Sequence, residues 1–272
     1  MERRRHCYVE RNMYKKLVKW LKLQEAEELS TLDAQSKTER HREIIQRKPF
    51  LKRLYTEFYK EFKTVSDEFP NGLLIELGSG GGFIKDVIPN VITSGILHVT
   101  GKDVQFSALV MPFKDNTVDV FFTMNVLHHI NNTYIFFKEL DRCLKIGGEI
   151  VITTTANTLW SRFIYKNFHS EPFDPCGGWD FEGTDPLSSA NIAIPWIIFF
   201  RDRTRFEELF PSLRIRKIRF HTPFRYLVSG GCSVRQLLPP STYDIVKGIE
   251  ILLSPLHRYI DMFMTIEIEK VS

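Results

Sequence analysis

Apolar residues recur at three- and four-residue steps through the first quarter of the chain, then gather into short unbroken runs after residue 72. Tyr14, Leu17, Val18 and Leu21, with lysines between them, predict a helix, and 30–36 is a polar loop. Helical spacing resumes over 44–65, where Phe50, Leu51, Leu54, Tyr55, Phe58, Tyr59 and Phe62 form a dense stripe. Such a stripe is expected to pack on the domain that follows. Phe69-Pro-Asn-Gly72 is turn chemistry and ends the segment. Beyond it, β-prone runs predict strands at 73–76, 91–93, 103–106, 118–123, 149–153, 213–220 and 262–269. Helices are expected at 84–88, stopped by Pro89, at 133–144 with Ile135, Phe136, Leu140 and Leu144 on one face, and at 201–210. Lys145-Ile-Gly-Gly148 reads as the C-terminal stop of the middle one. Alternation of this kind implies a parallel α/β sheet with right-handed crossovers. The rhythm breaks over 156–200, rich in proline and glycine, and again over 222–260. The expected organisation is therefore a helical extension over 1–68 and an α/β domain over 69–272 carrying two insertions.

Leu73-Leu-Ile-Glu-Leu-Gly-Ser-Gly-Gly-Gly-Phe83 is the stretch around which the domain is organised. A buried strand ends in Glu76 and passes into a glycine-rich turn, where a ligand can lie against bare amides. A dinucleotide fingerprint needs a glycine at the sixth place counted from Gly78, and Phe83 stands there. What remains is Glu76-x-Gly78-x-Gly80-x-Gly82. The acid suits a cationic ligand and repels a pyrophosphate.

The stretch resembles the first motif of class I S-adenosylmethionine-dependent methyltransferases of the type 11 kind. Three later stretches extend the resemblance over 73–153. Met111-Pro-Phe-Lys-Asp-Asn-Thr-Val-Asp-Val is similar to the family's run into its fourth strand, Asn125-Val-Leu-His-His-Ile130 to the loop after it, and Leu144-Lys-Ile-Gly-Gly148 to its L-K-P-G-G turn. The resemblance implies a Rossmann-like seven-stranded methyltransferase sheet with the last strand antiparallel, and S-adenosylmethionine as cofactor. It assigns cofactor binding to Glu76, Gly78, Ser79, Gly80, Gly82, Gly95, Asp103, Ser107, Ala108 and Asn125. Gly95 and Ser107 depart from the pattern, because the family usually places acids there for the ribose and the adenine. A charge-assisted hydrogen bond contributes roughly 1.5–3 kcal/mol, so two lost bonds weaken binding by roughly two to four powers of ten unless replaced. Asp103 is the nearby acid able to take the sugar. The second half, from His169-Ser-Glu-Pro-Phe-Asp174 through Ser188-Ser-Ala-Asn191 to Ser229-Gly-Gly231, resembles uncharacterised bacterial methyltransferases of surface-polysaccharide gene clusters.

Methyl transfer to a hydroxyl needs alignment and loss of one proton. His129, after the fourth strand, and His169, in the first insertion, are the candidate general bases, and His129 is also placed to cap the following helix. Trp160, Trp179 and Trp196 serve either to stack on an acceptor or to fill the insertion. His169 and Glu171, with Asp174 and Asp180, fit no defined zinc spacing, and no metal is expected. The reading is a methyltransferase for a small-molecule or glycan acceptor. The alternative is a degenerate relative that binds a partner.

Composition narrows this further. Residues 1–70 hold 17 Lys and Arg against 12 Asp and Glu, so the rest of the chain sums to −1 within a total of +4. A basic front segment admits a nucleic-acid reading. The loop after the fourth strand, however, lacks the aromatic-proline motif of nucleic-acid amino-methylating enzymes, and nucleic acid is not the expected partner. The four cysteines, Cys7, Cys143, Cys176 and Cys232, are scattered without redox or zinc spacing. No apolar run is long enough to span a membrane, Pro195 interrupting the best one, and no secretory leader pattern opens the chain. A reduced, cytoplasmic protein is expected.

Overall fold

The computed structural model describes residues 32–272 apart from 98, 100, 170 and 183–188. The helix expected around Tyr14 to Leu21 lies outside the described residues. Helix α1 (Ala34–Arg47) starts at Asp33, whose side chain accepts from the Ser36 amide. It stops at Lys48 because Pro49 follows, and Pro49 opens α2 (Pro49–Ser66). The aromatic stripe is the buried face of α2. Phe62 stacks on Phe122 at 5.1 Å and Tyr59 meets Phe83 edge-on at 5.2 Å.

The sheet consists of β1 (Leu74–Leu77), β2 (Ile92–Gly95), β3 (Val104–Gln105), β4 (Val118–Met124), β5 (Leu144–Thr155), β6 (Leu213–His221) and β7 (Phe263–Lys270). Its order is β3-β2-β1-β4-β5-β7-β6. The first five strands pair in parallel, and β7 runs antiparallel between β5 and β6. This is the Rossmann-like methyltransferase sheet that the resemblance implied. Strand order reverses between β1 and β4, and a doubly wound sheet opens its ligand crevice there, at the C-terminal strand ends.

Both faces are covered, and the period of two sorts the side chains between them. Phe121 of β4 faces a core with Phe136, Phe137 and Leu140 of α3 (Thr133–Cys143), and Val118 joins it across the register shift between Val118 and Val120. Phe206 of α5 (Arg203–Leu209) joins that side. Val120, Phe122 and Met124 face the opposite core, built from α2 and from Tyr243 and Val246 of α7 (Tyr243–Leu252). Between these elements lie α4 (Leu159–Phe168) and the short α6 (Arg225–Ser229).

Three expectations need correction. The polar loop over 30–36 and the single helix over 44–65 give way to α1 from Ala34 and α2 from Pro49, with an extended Lys48 between them. The helix at 84–88 is a single 3-10 turn, Ile84–Asp86. Only a few residues separate the glycines from Pro89, too few to nucleate a helix. Ile84 and Ile88 pack instead into the core that α2 completes. Likewise, Lys145-Ile-Gly-Gly148 does not stop α3. The helix already gives way at Leu144, whose backbone is extended, and the glycines lie in an irregularity at the start of β5. Gly147 has φ +78 there. Lys145 Nζ reaches both oxygens of Asp119 at 2.8 and 2.9 Å, fixing the loop against β4.

Candidate active site at the C-terminal strand ends

β1 carries Glu76 to the crevice, where it is 1% exposed. Burial raises its carboxyl to about 7 against the pull of Ser79, Lys102 and Tyr59. Its Oε2 makes no hydrogen bond. Gly78 turns with φ +65 under Val126, which would stand 2.6 Å from any Cβ. The turn is tied to β2: Ser79 N donates to Ser94 O at 2.7 Å, and Ser94 Oγ to Glu76 O at 2.8 Å. Its outer side is covered by the protein itself. A Cβ at Gly81 would lie 2.7 Å from the Arg42 nitrogen of α1, and one at Gly82 would collide with the Tyr59 hydroxyl of α2. Lys102 Nζ donates to the carbonyls of Ser79 at 3.4 Å and Gly82 at 3.3 Å. A Cβ at Gly80 would meet nothing closer than 3.7 Å.

The residues read as adenosine contacts are placed as follows. A Cβ at Gly95 would find no atom within 3.7 Å, so the missing acid is not excluded by crowding. Ser107 Oγ accepts from the Leu109 amide at 3.2 Å, and Ala108 packs against the core. Asp103 is engaged elsewhere, accepting from Thr93 N at 2.8 Å, Thr93 Oγ1 at 2.9 Å and Lys85 Nζ at 2.5 Å. Burial alone would raise its carboxyl, but these bonds from Lys85 and Thr93 hold it at about 2.

Beyond β4, Asn125 takes φ +56, and its buried Oδ1 makes no hydrogen bond. Leu127–His129 then forms a 3-10 turn. The insertion folds back over this turn. Asn191 N donates to His128 O at 2.9 Å, Ile192 N to Pro172 O at 3.0 Å, and Thr155 Oγ1 to Ile192 O at 3.0 Å. Glu171 is thereby brought between two imidazoles, with its oxygens 3.5 Å from His128 Nε2 and 3.9 Å from His129 Nε2. His129 Nδ1 faces the Ser189 carbonyl at 3.4 Å, an oxygen that can only accept, so in the neutral ring that nitrogen carries the proton. His169 Nδ1 accepts from the Glu171 amide at 3.2 Å and braces the acid. Burial, then His129 and His169, hold His128 well below the usual imidazole range. His169 falls to about 4 by burial and the nearby His129. Burial lifts Glu171 to about 7.

The sequence reading of this end singled out His129 and His169 and missed the pairing with Glu171. Asp174 and Asp180 stand apart from the cluster: Asp174 Oδ1 accepts from the Cys176 amide, and Asp180 bridges to Asn132. Trp179 fills the core and donates to Asp202 at 2.9 Å. Trp160 Nε1 and Asn157 Nδ2, just past β5, are buried without hydrogen-bond partners. Glu76, Asn125, Asn157 and Trp160 thus put unpaired polar atoms at the ends of β1, β4 and β5. Buried polar groups are almost always paired, which makes this edge the candidate place for a polar ligand.

Residues 76–152 match the family model described as a methyltransferase domain. No curated protein matches the sequence. Among solved structures, the chain is similar to geranyl diphosphate C-methyltransferase from Streptomyces coelicolor A3(2), with 14% identity over 86% of this chain and 84% of that one and a TM-score of 0.46. It is also similar to a methyltransferase from Thermotoga maritima described as a possible histamine N-methyltransferase, with 13% identity over 79% and 89% and a TM-score of 0.48. An S-adenosylmethionine-dependent methyltransferase from Mesorhizobium loti shows 11% identity over 73% and 91%, with a TM-score of 0.43. Among the described residues, no helix is long and apolar enough to cross a membrane.

Proposed function

We propose that the chain is an S-adenosylmethionine-dependent methyltransferase that methylates a hydroxyl of a small-molecule or glycan acceptor. The observation that carries this reading is Glu76: a buried carboxylate oxygen with no hydrogen bond, beside a glycine turn, at the point where strand order reverses. The site fits a ligand with an ammonium and a sulfonium and no phosphate. Glu76 would hold the ammonium, the backbone from Gly78 to Gly80 would flank it, and Asn125 would close the other side. When bound, S-adenosylmethionine supplies the methyl group, its sulfonium becoming a neutral thioether as the new O–C bond forms. His129 Nε2 takes the hydroxyl proton, and Glu171 beside it stabilises the imidazolium.

Calorimetric titration of S-adenosylmethionine tests the reading. Micromolar to submillimolar binding is expected, lost in Glu76→Ala; no heat at millimolar ligand overturns it. The second reading, a non-catalytic member of the fold, is favoured by the packing of α1 on Gly81, which gives the turn a purely structural use. That reading expects no such binding.

A further inference from the structure

We propose that His128, His129 and Glu171 form a binding site for a divalent transition-metal ion, zinc by preference, at the acceptor end of the crevice. The inference deepens the methyltransferase reading and rests on it for the word acceptor. Three donor atoms, two imidazole nitrogens and one carboxylate oxygen, lie within 4.8 Å of one another. The nitrogen–oxygen separations of 3.5 and 3.9 Å exceed the about 2.7–3.2 Å of a hydrogen bond, so the three groups converge without satisfying each other. Those two separations run to different oxygens of Glu171; with one oxygen as donor the three atoms span up to 4.8 Å, against roughly 3.4 Å for the edge of a tetrahedron built on metal bonds of about 2.0–2.2 Å. Side-chain contraction by up to about 1.4 Å completes it.

The donor set is chemically apt. Two imidazoles and one carboxylate suit zinc and leave a fourth position open. The surroundings hold the ligands as a metal site requires. The Ser189 carbonyl fixes the His129 tautomer, His169 Nδ1 anchors the Glu171 backbone, and the Asn191 amide holds the His128 carbonyl. The three residues would hold the cation, which would supply Lewis-acid activation to an acceptor oxygen at the open position. His129 would be a ligand in the metal-bound chain and the base of the proposed function in the metal-free one, and the preferred acceptor would present a hydroxyl, or two neighbouring oxygens, to the metal.

The test titrates zinc chloride into the chelator-treated full chain, with cobalt(II) as a spectroscopic probe. One equivalent is expected, with a Kd on the order of 1 µM or tighter. Glu171→Gln and His129→Gln, both partly exposed and conservative in shape, are each expected to weaken it by about 100-fold or more. Cobalt should give a nitrogen–oxygen spectrum without a thiolate charge-transfer band. The proposal is overturned if both variants bind like the parent, if the parent binds no tighter than about 1 mM, or if a thiolate band assigns the ion to Cys176. A parallel titration with S-adenosylmethionine separates the two ideas. A chain that binds it but ignores zinc loses the metal site and keeps the methyltransferase reading. One that binds zinc alone keeps the metal site and loses that reading.

Discussion

Glu76 is buried so deeply that ionising it costs the fold. Its carboxyl stands at about 7, against an ordinary 4.5, with burial as the chief cause. A raised acid pKa means that the folded chain holds the proton longer than the unfolded one, so this group subtracts stability as pH rises from about 4.5 to 7. A cationic ligand needs the carboxylate and removes that penalty. Affinity for S-adenosylmethionine should therefore be level above about pH 8 and fall below pH 7, approaching tenfold per unit. Glu76→Gln should weaken binding at pH 8 by about 10- to 150-fold, the equivalent of roughly 1.5–3 kcal/mol, and flatten the pH response. Calorimetry at pH 6, 7 and 8 on both proteins decides; an unchanged slope in the variant would remove Glu76 from the binding site. This residue was legible in the sequence because its spacing to Gly78 is local. The meeting of Glu171 with His128 and His129 was not, because it is created by backbone bonds from Asn191 and Ile192, far along the chain. Nor could spacing show that Asp103 is already held by Lys85 and Thr93.

Strands and the long helices were readable wherever the period was sustained, as in α2, α3, β4 and β5. What failed were short segments whose state is decided by a neighbour. The stretch after the glycines had helical composition but no length, and α2, from the other side of the turn, took over the covering of that face. The glycines of Lys145-Ile-Gly-Gly148 looked like a helix stop, yet Leu144 had already been recruited into pairing with Val118. The fit of α1 on the turn is likewise visible only in space. Gly81→Ala would push a methyl into the Arg42 nitrogen and, at 3.1 Å, the Thr38 carbonyl. Neither is a side-chain tip that can swing away, so α1 must lift. The cost should be about 1–3 kcal/mol, as for other overpacked sites. Hydrogen exchange should quicken in the amides of α1 while β4 and β5 keep their protection. Unchanged protection in α1 would show that the helix is not seated by this contact.

The N-terminal helices and the second insertion are joined by charge as well as by their shared core. Glu57 of α2 receives Arg225 of α6 and, at 3.0 Å, Lys247 of α7. Arg225 also holds Glu250 of α7 at 2.5 Å and donates to the Tyr243 hydroxyl at 2.9 Å. Lys48, before α2, donates to the carbonyls of Gly231 at 2.5 Å and Val234 at 2.7 Å. The N-terminal helices and the second insertion are thus one cap on the face of the sheet that carries β1 and the glycine turn. Arg225 and Glu250 are both under 9% exposed, so this pair is desolvated; removal of Arg225 leaves the Glu250 carboxylate with the Phe224 and Arg225 amides but no buried counter-charge. Arg225→Met should cost about 3–5 kcal/mol, lowering Tm by roughly 6–20 °C for a chain of this size. The double variant Arg225→Met, Glu250→Leu should recover much of the loss, because a buried pair replaced by apolar groups is often neutral. Thermal melts of the parent, the two single variants and the double variant measure the coupling. If the single losses simply add in the double, the two residues act separately and the cap is held by its apolar core alone.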